Sequence, residues 1–383
     1  MTIHPSDPEV LVVAGEASGD RAAALVVRAL AAEGVRCWGA GGPACRAAGM
    51  DVTADTTLLS AMGLGDVAAR LPAIASAVAR LHARVRRAPP RAAVLADFAE
   101  LNAPLGRLLR ARGVRVLRLS APQVWAWRRG RLASLRGAFD RLAVLLPFEE
   151  PLWRSAGHDA RYVGHPALEA PSLPRSAVLA RLGLPDGLPS PLIAVLPGSR
   201  AGEVRRLAGP LCDAAAALVA EGATAQIVLS PGLDAAGRAV ARAHAARTGI
   251  EQVEGDREHG AAPLLGAFDV ALSASGTATL EAALAGAAPV VACRLDALAY
   301  AAARRLVRTP HIALPNVLLG RRAYPEIVQD EVTPARLASE ARALLGRREE
   351  TLALAAELRA VLAPPSPLPF GRRVAELLLP WLA

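Results

Sequence analysis

Lysine is missing from this chain: all 44 basic residues among its 383 are arginine. Asparagine is nearly missing, with Asn102 and Asn316 its only occurrences. Such a bias marks drift toward Ala, Arg, Gly and Pro, so residues that resist it carry information. Aromatics make up 3% of the chain, which leaves Ala, Val and Leu to fill the cores and suits helices packed on sheets. That scarcity, with arginines spread along the whole chain, argues against a base-stacking nucleic-acid surface, and no nucleic acid is expected as partner. Long apolar runs are absent too. No stretch of 15 residues lacks a charged side chain, whereas a membrane span takes about 20 mainly apolar residues. The start, "MTIHPSDPEVLVV", has neither the basic beginning nor the apolar core of a signal peptide, so a cytoplasmic location is expected. The cysteines at 37, 45, 212 and 293 have no metal-ligand or disulfide-framework spacing and read as small buried hydrophobes.

What is present is organised. The length suits two domains of roughly 150 to 200 residues. Short apolar runs, "VLVVAG" (10–15), "AAVLAD" (92–97), "RVLRLS" (115–120) and "RLAVLLP" (141–147), are spaced by Ala/Leu/Arg stretches of helical character. A proline-dense stretch, 165–191, reads as the interdomain connection. A second set follows: "LIAVLPGS" (192–199), "AQIVLSPG" (225–232), "VALSASG" (270–276) and "PVVACR" (289–294). This is the rhythm of βα units, and it predicts an α/β protein of two parallel-sheet domains with a cleft between them. The net charge of +9 fits an anionic membrane surface or phosphorylated substrates, or arginine drift alone.

Three strand-to-helix turns carry candidate chemistry. In "VVAGEASGDRAAA" (12–24), Ser18 is a plausible N-cap and Gly19 keeps the turn small; Glu16 and Asp20 crowd it, which fits sugar hydroxyls better than a pyrophosphate. Simple helix capping by Ser18 and Asp20 is the plainer reading. In "VLPGSRAGEVRRL" (195–207), the amides of Gly198 and Ser199 with the Arg200 guanidinium form a receptor for a diphosphate, and Glu203 follows in the helix. The Gly-Lys-Ser/Thr of a P-loop is not there. In "SASGTATLEAAL" (273–284), Ser275, Gly276 and Thr277 offer amides and hydroxyls while Glu281, just over one turn later, can take ribose hydroxyls. Two such turns at strand ends of one α/β domain predict a nucleotide site.

Other candidates stand at further strand ends. "VLADFAELNAP" (94–104) is an apolar run ending in Asp97, with Glu100 and Asn102 close behind. "SAPQVWAWRRGR" (120–131) holds Trp125, Trp127 and Arg128, either a local core plug or a platform against an apolar or sugar ligand. "PFE" (147–149) and "YVGHP" (162–166) mark two more strand ends, with His165 either structural or a base. In "PHIALPNVLLGRRAYPEIVQ" (310–329), Asn316 is expected in a loop before a helix that carries Glu326 and Gln329 at i, i+3 spacing, facing a ligand or solvent.

Together "AGEASGD", "SAPQVWAWR", "LPFE", "VGHP", "LPGSR", "ASGTATLE" and "LPNVLLGR…PE…Q" closely resemble the lipid A disaccharide synthase family, in the same order and over nearly the whole chain. The resemblance implies a GT-B fold: residues 1–168 as an acceptor-binding Rossmann-like domain, 169–362 as a UDP-sugar-binding one, and 363–383 as a helix packing back on an N-terminal domain. It implies a peripheral membrane enzyme on the inner face of the cytoplasmic membrane that needs no metal or cofactor. The implied reaction moves 2,3-diacylglucosamine from UDP-2,3-diacylglucosamine to 2,3-diacylglucosamine 1-phosphate, with inversion.

On that resemblance Asp97 matches the proposed base and Arg200 the residue facing the leaving UDP. Gly198, Ser199, Glu203, Ser275, Gly276, Thr277, Glu281, Asn316 and Gln329 fall to the nucleotide, and Glu16, Ser18, Gly19, Asp20, Asn102, Trp127 and Arg128 to the acceptor. The family's Asp-x-Pro-Asp-Phe-Asn departs here to Ala99, Glu100 and Leu101 before Asn102, and its Ser-Pro-Ser-Val-Trp to Ser-Ala-Pro-Gln-Val-Trp. "TTLLSAMGLGDVAARL" (56–71) resembles the segment near the acyl chains and reads either as a bilayer contact or as ordinary core. A monomer and a homodimer with exchanged C-terminal helices are equally compatible with the sequence. Three other readings compete: a GT-B relative that uses UDP-N-acetylglucosamine, which should lack "AGEASGD" and "WAWR"; an arginine-rich nucleic-acid-binding protein, favoured by charge alone; and an inactive sensor of UDP-lipid.

Overall fold

The computed structural model describes residues 9–55, 76, 78–97, 99–127, 130–188, 191–307 and 309–382, of which 99–101, 127, 131, 298 and 302 by backbone only. The apolar segment 56–71 lies outside the described residues, as does Arg128. The chain divides into two compact units, residues 1–169 with 362–383 and residues 170–361.

The first unit is built on strands Glu9–Ala14 (β1), Arg36–Gly41 (β2), Asp51–Asp55 (β3), Ala92–Ala96 (β4), Arg115–Leu119 (β5), Arg141–Val144 (β6) and Ala160–Tyr162 (β7). They pair in parallel in the order β3-β2-β1-β4-β5-β6-β7. Alternate residues of one strand feed different cores. Val10, Val12 and Ala14 of β1, with Ala92, Val94 and Ala96 of β4, enter one apolar cluster; Leu11, Val13, Ala93 and Leu95 enter another. Burial on both faces is why these strands read as unbroken apolar runs.

The second unit carries Leu192–Leu196 (β8), Thr224–Leu229 (β9), Glu251–Glu254 (β10), Val270–Ala274 (β11), Ala288–Cys293 (β12) and Glu326–Val328 (β13). Their order is β10-β9-β8-β11-β12-β13, again parallel. The expected α/β class with two parallel sheets is thus observed. The proline-dense stretch holds the unit boundary, yet it is not merely a connection: it contains the helix Arg175–Arg181, whose Val178 and Leu179 enter the second unit's core.

The C-terminal helix Phe370–Leu378 lies against the helix Ala17–Ala32 of the first unit, burying Phe370, Val374 and Leu378 beside Val26 and Leu30. Arg373, 6% exposed, locks it down. Its Nε donates to the Val163 carbonyl at 2.6 Å, Nη2 to Glu169 Oε1 at 2.9 Å and Nη1 to the Leu368 carbonyl. Removing a buried guanidinium that serves several acceptors strands them all. Arg373→Ala should therefore cost about 3 kcal/mol. All five tryptophans lie in this unit, so the urea midpoint of tryptophan fluorescence measures the loss; an unchanged midpoint would reject it. Among the described residues no helix is long and apolar enough to cross a membrane.

Candidate active site

In an open parallel sheet, ligands bind beyond the carboxyl ends of the strands where the strand order reverses. In the first unit that point lies between β1 and β4, which pair with Ala14 beside Ala96. One residue past β4 stands Asp97, and the turn after β1 leads through Glu16 into the helix Ala17–Ala32. The two are tied together: Ser18 Oγ donates to Asp97 Oδ2 at 3.1 Å. Ser18 is not the N-cap expected of it. Glu16 holds that position, without a capping side-chain bond, and the Ser18 hydroxyl inside the first turn is spent on the carboxylate. Gly19 is required by the same closeness, since a Cβ there would stand 2.5 Å from Asp97 Oδ2.

Asp97 adopts φ 48° and Ser120, beyond the neighbouring β5, φ 65°. Non-glycine residues in the left-handed region are uncommon and concentrate where function needs them. Asn102 holds the first of these turns: its Nδ2 donates to the carbonyls of Ala96, at 3.1 Å, and of Asp97. Fully buried, Asn102 is a brace for the backbone at Asp97 rather than the acceptor contact expected of it. Asp20 is likewise withdrawn from the expected sugar contact. Its carboxylate accepts from the amides of Gly42 at 2.6 Å, Ala44 at 2.9 Å and Cys45 at 3.3 Å, and so caps the next helix, Pro43–Ala47.

The electrostatics around Asp97 are opposed. Burial pushes its carboxyl above the ordinary range, the Arg118 guanidinium pulls it down, Glu16 pushes it up, and bonds from Ser120 and Ser18 pull it down; the net is upward. A carboxylate so raised is a better proton acceptor near neutral pH. Arg118 and Ser120 are neighbours of Asp97 that the motif reading missed. The available signal was an arginine in the middle of the strand "RVLRLS".

Beyond β6, Glu149 is 2% exposed and accepts from Trp125 Nε1 at 3.1 Å and from the Leu146 amide at 3.2 Å. Trp125 also meets Phe148 edge-on at 5.2 Å, so it joins the local packing. The Trp127 side chain falls outside the described residues. Burial raises the Glu149 carboxyl to about 7. The folded state therefore holds a proton that the unfolded chain, near 4.5, gives up. Stability from this group is complete below about pH 4.5 and is lost as pH rises through about 7. Glu149→Gln should flatten that part of the stability-pH curve of the first unit, read by tryptophan fluorescence; an equally steep curve would count against it. His165 accepts from the Ala167 amide through Nδ1 at 3.1 Å, and burial, reinforced by Arg21, lowers it to about 4. It is a neutral, structural histidine.

In the second unit the order reverses between β8 and β11, and the two expected nucleotide turns follow these adjacent strands. After β8, Gly198 takes φ 120°, and a Cβ there would fall 2.8 Å from the Glu203 side chain. Arg200 caps the helix Ala201–Ala220 with its side chain exposed. Glu203 Oε2 accepts from the Ser199 amide at 3.2 Å, and its other oxygen lies 3.6 Å from Arg200 Nη1. The loop thus already cradles an anionic group, its own carboxylate. After β11, Ser275, Gly276 and Thr277 form a turn with open space over Gly276, and the helix Thr277–Ala285 starts there with Glu281 half-buried one turn on.

The last expected pair is differently placed. Glu326 begins strand β13 and Gln329 a short 3-10 turn, so the expected helix over them is absent, whereas Asn316 sits in a helix, Leu314–Leu319. Pairing with β12 outweighs the helical spacing. Asn316 is fully buried, donating to Glu326 Oε1 at 2.8 Å and the Tyr324 carbonyl at 2.9 Å while accepting from the amides of Ala323 and Tyr324. Gln329, at φ 54°, exchanges bonds with the Leu295 backbone. Both side chains are therefore bonded to their own surroundings.

Calicheamicin glycosyltransferase CalG4 resembles this fold with a TM-score of 0.60 at 15% identity, over 98% of both chains. Two parallel-sheet units with such neighbours define the GT-B fold. A family model described as lipid-A-disaccharide synthetase matches residues 10–359. The lipid-A-disaccharide synthase of Syntrophus aciditrophicus is 38% identical over 355 residues, 91% of each chain. That of Anaeromyxobacter dehalogenans strain 2CP-1 is 39% identical over 380 residues, 97% of each. The chain belongs to the lipid-A-disaccharide synthetase family.

Proposed function

We propose that the chain transfers 2,3-diacylglucosamine from UDP-2,3-diacylglucosamine to the 6-hydroxyl of 2,3-diacylglucosamine 1-phosphate. The products are the β-1,6 disaccharide 1-phosphate and UDP. Asp97 takes the proton of the attacking hydroxyl as its oxygen bonds to the anomeric carbon, and the bond from that carbon to the UDP oxygen breaks on the opposite face. Arg200, with the amides of Gly198 and Ser199, stabilises the charge that grows on UDP, and such preorganised donors commonly supply a large share of catalysis. The turn at Ser275 to Thr277 faces the nucleotide with Glu281 on the ribose. Glu16 lies beside the base on the acceptor side. No step needs a metal or a cofactor. The enzyme works on the inner face of the cytoplasmic membrane, a placement supported by its net charge of +9, since each basic residue near an anionic surface adds roughly 1 kcal/mol of attraction.

The observation that carries this reading is Asp97: a carboxylate held at the switch point of one unit by Ser18, in left-handed backbone braced by Asn102. The test is UDP release from UDP-2,3-diacylglucosamine in detergent, with and without the acceptor and with EDTA added. Acceptor-dependent, EDTA-insensitive release with disaccharide formed supports the reading. UDP binding without disaccharide would replace it by a different acceptor or a sensor role.

A further inference from the structure

We propose that Arg118 is a positioning residue for Asp97, its buried guanidinium supplying the counter-charge that keeps this carboxylate in place and available as a base. The inference rests on the function proposed above only for its kinetic consequence. Arg118 is 2% exposed in the middle of β5, where the register sets it beside Leu95 of β4, two residues before Asp97. An arginine in such a strand is costly unless its charge has a partner. The framework uses little of it. Its Nε donates to the Ser120 carbonyl at 2.9 Å, its carbon end lies 5.7 Å from the Phe139 ring centroid, and its Nη1 has no hydrogen-bond partner among the described residues.

The neighbouring anion is Asp97, two residues past Leu95, the register partner of Arg118, and each of the two draws the other toward its charged form. The arrangement is tied from two sides. Asp97 donates its amide to the Leu119 carbonyl at 3.4 Å, and Ser120, whose carbonyl holds Arg118, bonds to the carboxylate of Asp97. Among the described residues, the charged groups acting on Asp97 are Arg118 from β5 and Glu16 from the turn after β1, with Ser18 and Ser120 as neutral donors. Glu16 and burial both favour the protonated acid, and Arg118 is the cation set against them.

The experiment is the titration of Asp97 by carbon NMR of 13C-aspartate-labelled full-length protein, its signal assigned by loss in Asp97→Asn. Wild type is compared with Arg118→Met, Arg118→Gln and Arg118→Lys. Removing a neighbouring guanidinium should raise the Asp97 midpoint by about one to three pH units. It should move the acid limb of the kcat/KM profile equally, leave UDP affinity unchanged, and be largely reversed in the lysine variant. An unmoved midpoint in a folded neutral variant overturns the proposal. Glutamine keeps a donor for the Ser120 carbonyl without the charge, so it serves if methionine prevents folding. Wild type without transferase activity would sink the functional reading, while the NMR midpoint would still decide the role of Arg118.

Discussion

Asp97→Asn should reduce acceptor-dependent turnover by about 10² to 10⁴-fold, the range carried by a positioned general base, while leaving UDP affinity within a factor of about two, because one lost base contact touches no nucleotide donor. The substitution is nearly isosteric. Asparagine can still take the left-handed backbone at this site, since its short polar side chain tolerates that region, and the Asn102 brace acts on backbone carbonyls that do not change. What disappears is the acceptor of a proton. Measured by UDP release and disaccharide yield over a range of pH, wild type should lose activity toward acid as the raised carboxyl of Asp97 becomes protonated. The variant's residual rate should lack that limb. A variant that keeps most of the wild-type rate would remove Asp97 from the chemistry and shift attention to Glu16, which faces the same carboxylate.

Much of this arrangement was legible in the sequence, for identifiable reasons. Strands buried on both faces leave continuous apolar runs, so β1, β4, β5, β6, β8, β9, β11 and β12 stand out. The strands "RCWGAG", "EQVE" and "EIV" do not, because glycine, edge exposure or a length of three hides the pattern. Glycine-bearing turns after such runs marked both switch points. What a one-dimensional pattern cannot carry is which oxygen a donor reaches. Asp20 and Ser18 are two residues apart in one helical turn, yet one caps a neighbouring helix and the other holds the Asp97 carboxylate. Asn102 and Asn316 resisted compositional drift, but for bracing backbone carbonyls and amides, a need as strict as ligand contact. Arg118 escaped notice because an arginine-rich chain offers 44 candidates, and only the fold singles out the few that are buried, Arg118 and Arg373 among the described residues.

Arg200→Ala should cost about 10² to 10³-fold in turnover, the usual loss on removing one preorganised donor from developing negative charge, and should weaken UDP binding as well. Arg200→Lys should recover only part of this, since an ammonium keeps the charge but not the two-pronged geometry that suits phosphate oxygens. The local structure explains why the loop should depend on that side chain. The Ser199 amide and the Arg200 guanidinium already converge on one carboxylate, that of Glu203, and Gly198 has the open backbone that lets them do so. A diphosphate is a stronger acceptor of the same donors, and it must compete with Glu203 for them. Glu203→Gln should therefore tighten UDP binding modestly if competition dominates, whereas Arg200→Ala should loosen it whatever stands at 203. Calorimetric titration with UDP, run beside the turnover assay, separates the two effects. Undiminished UDP affinity and turnover in Arg200→Ala would move the diphosphate away from this loop, toward the helix start at Thr277.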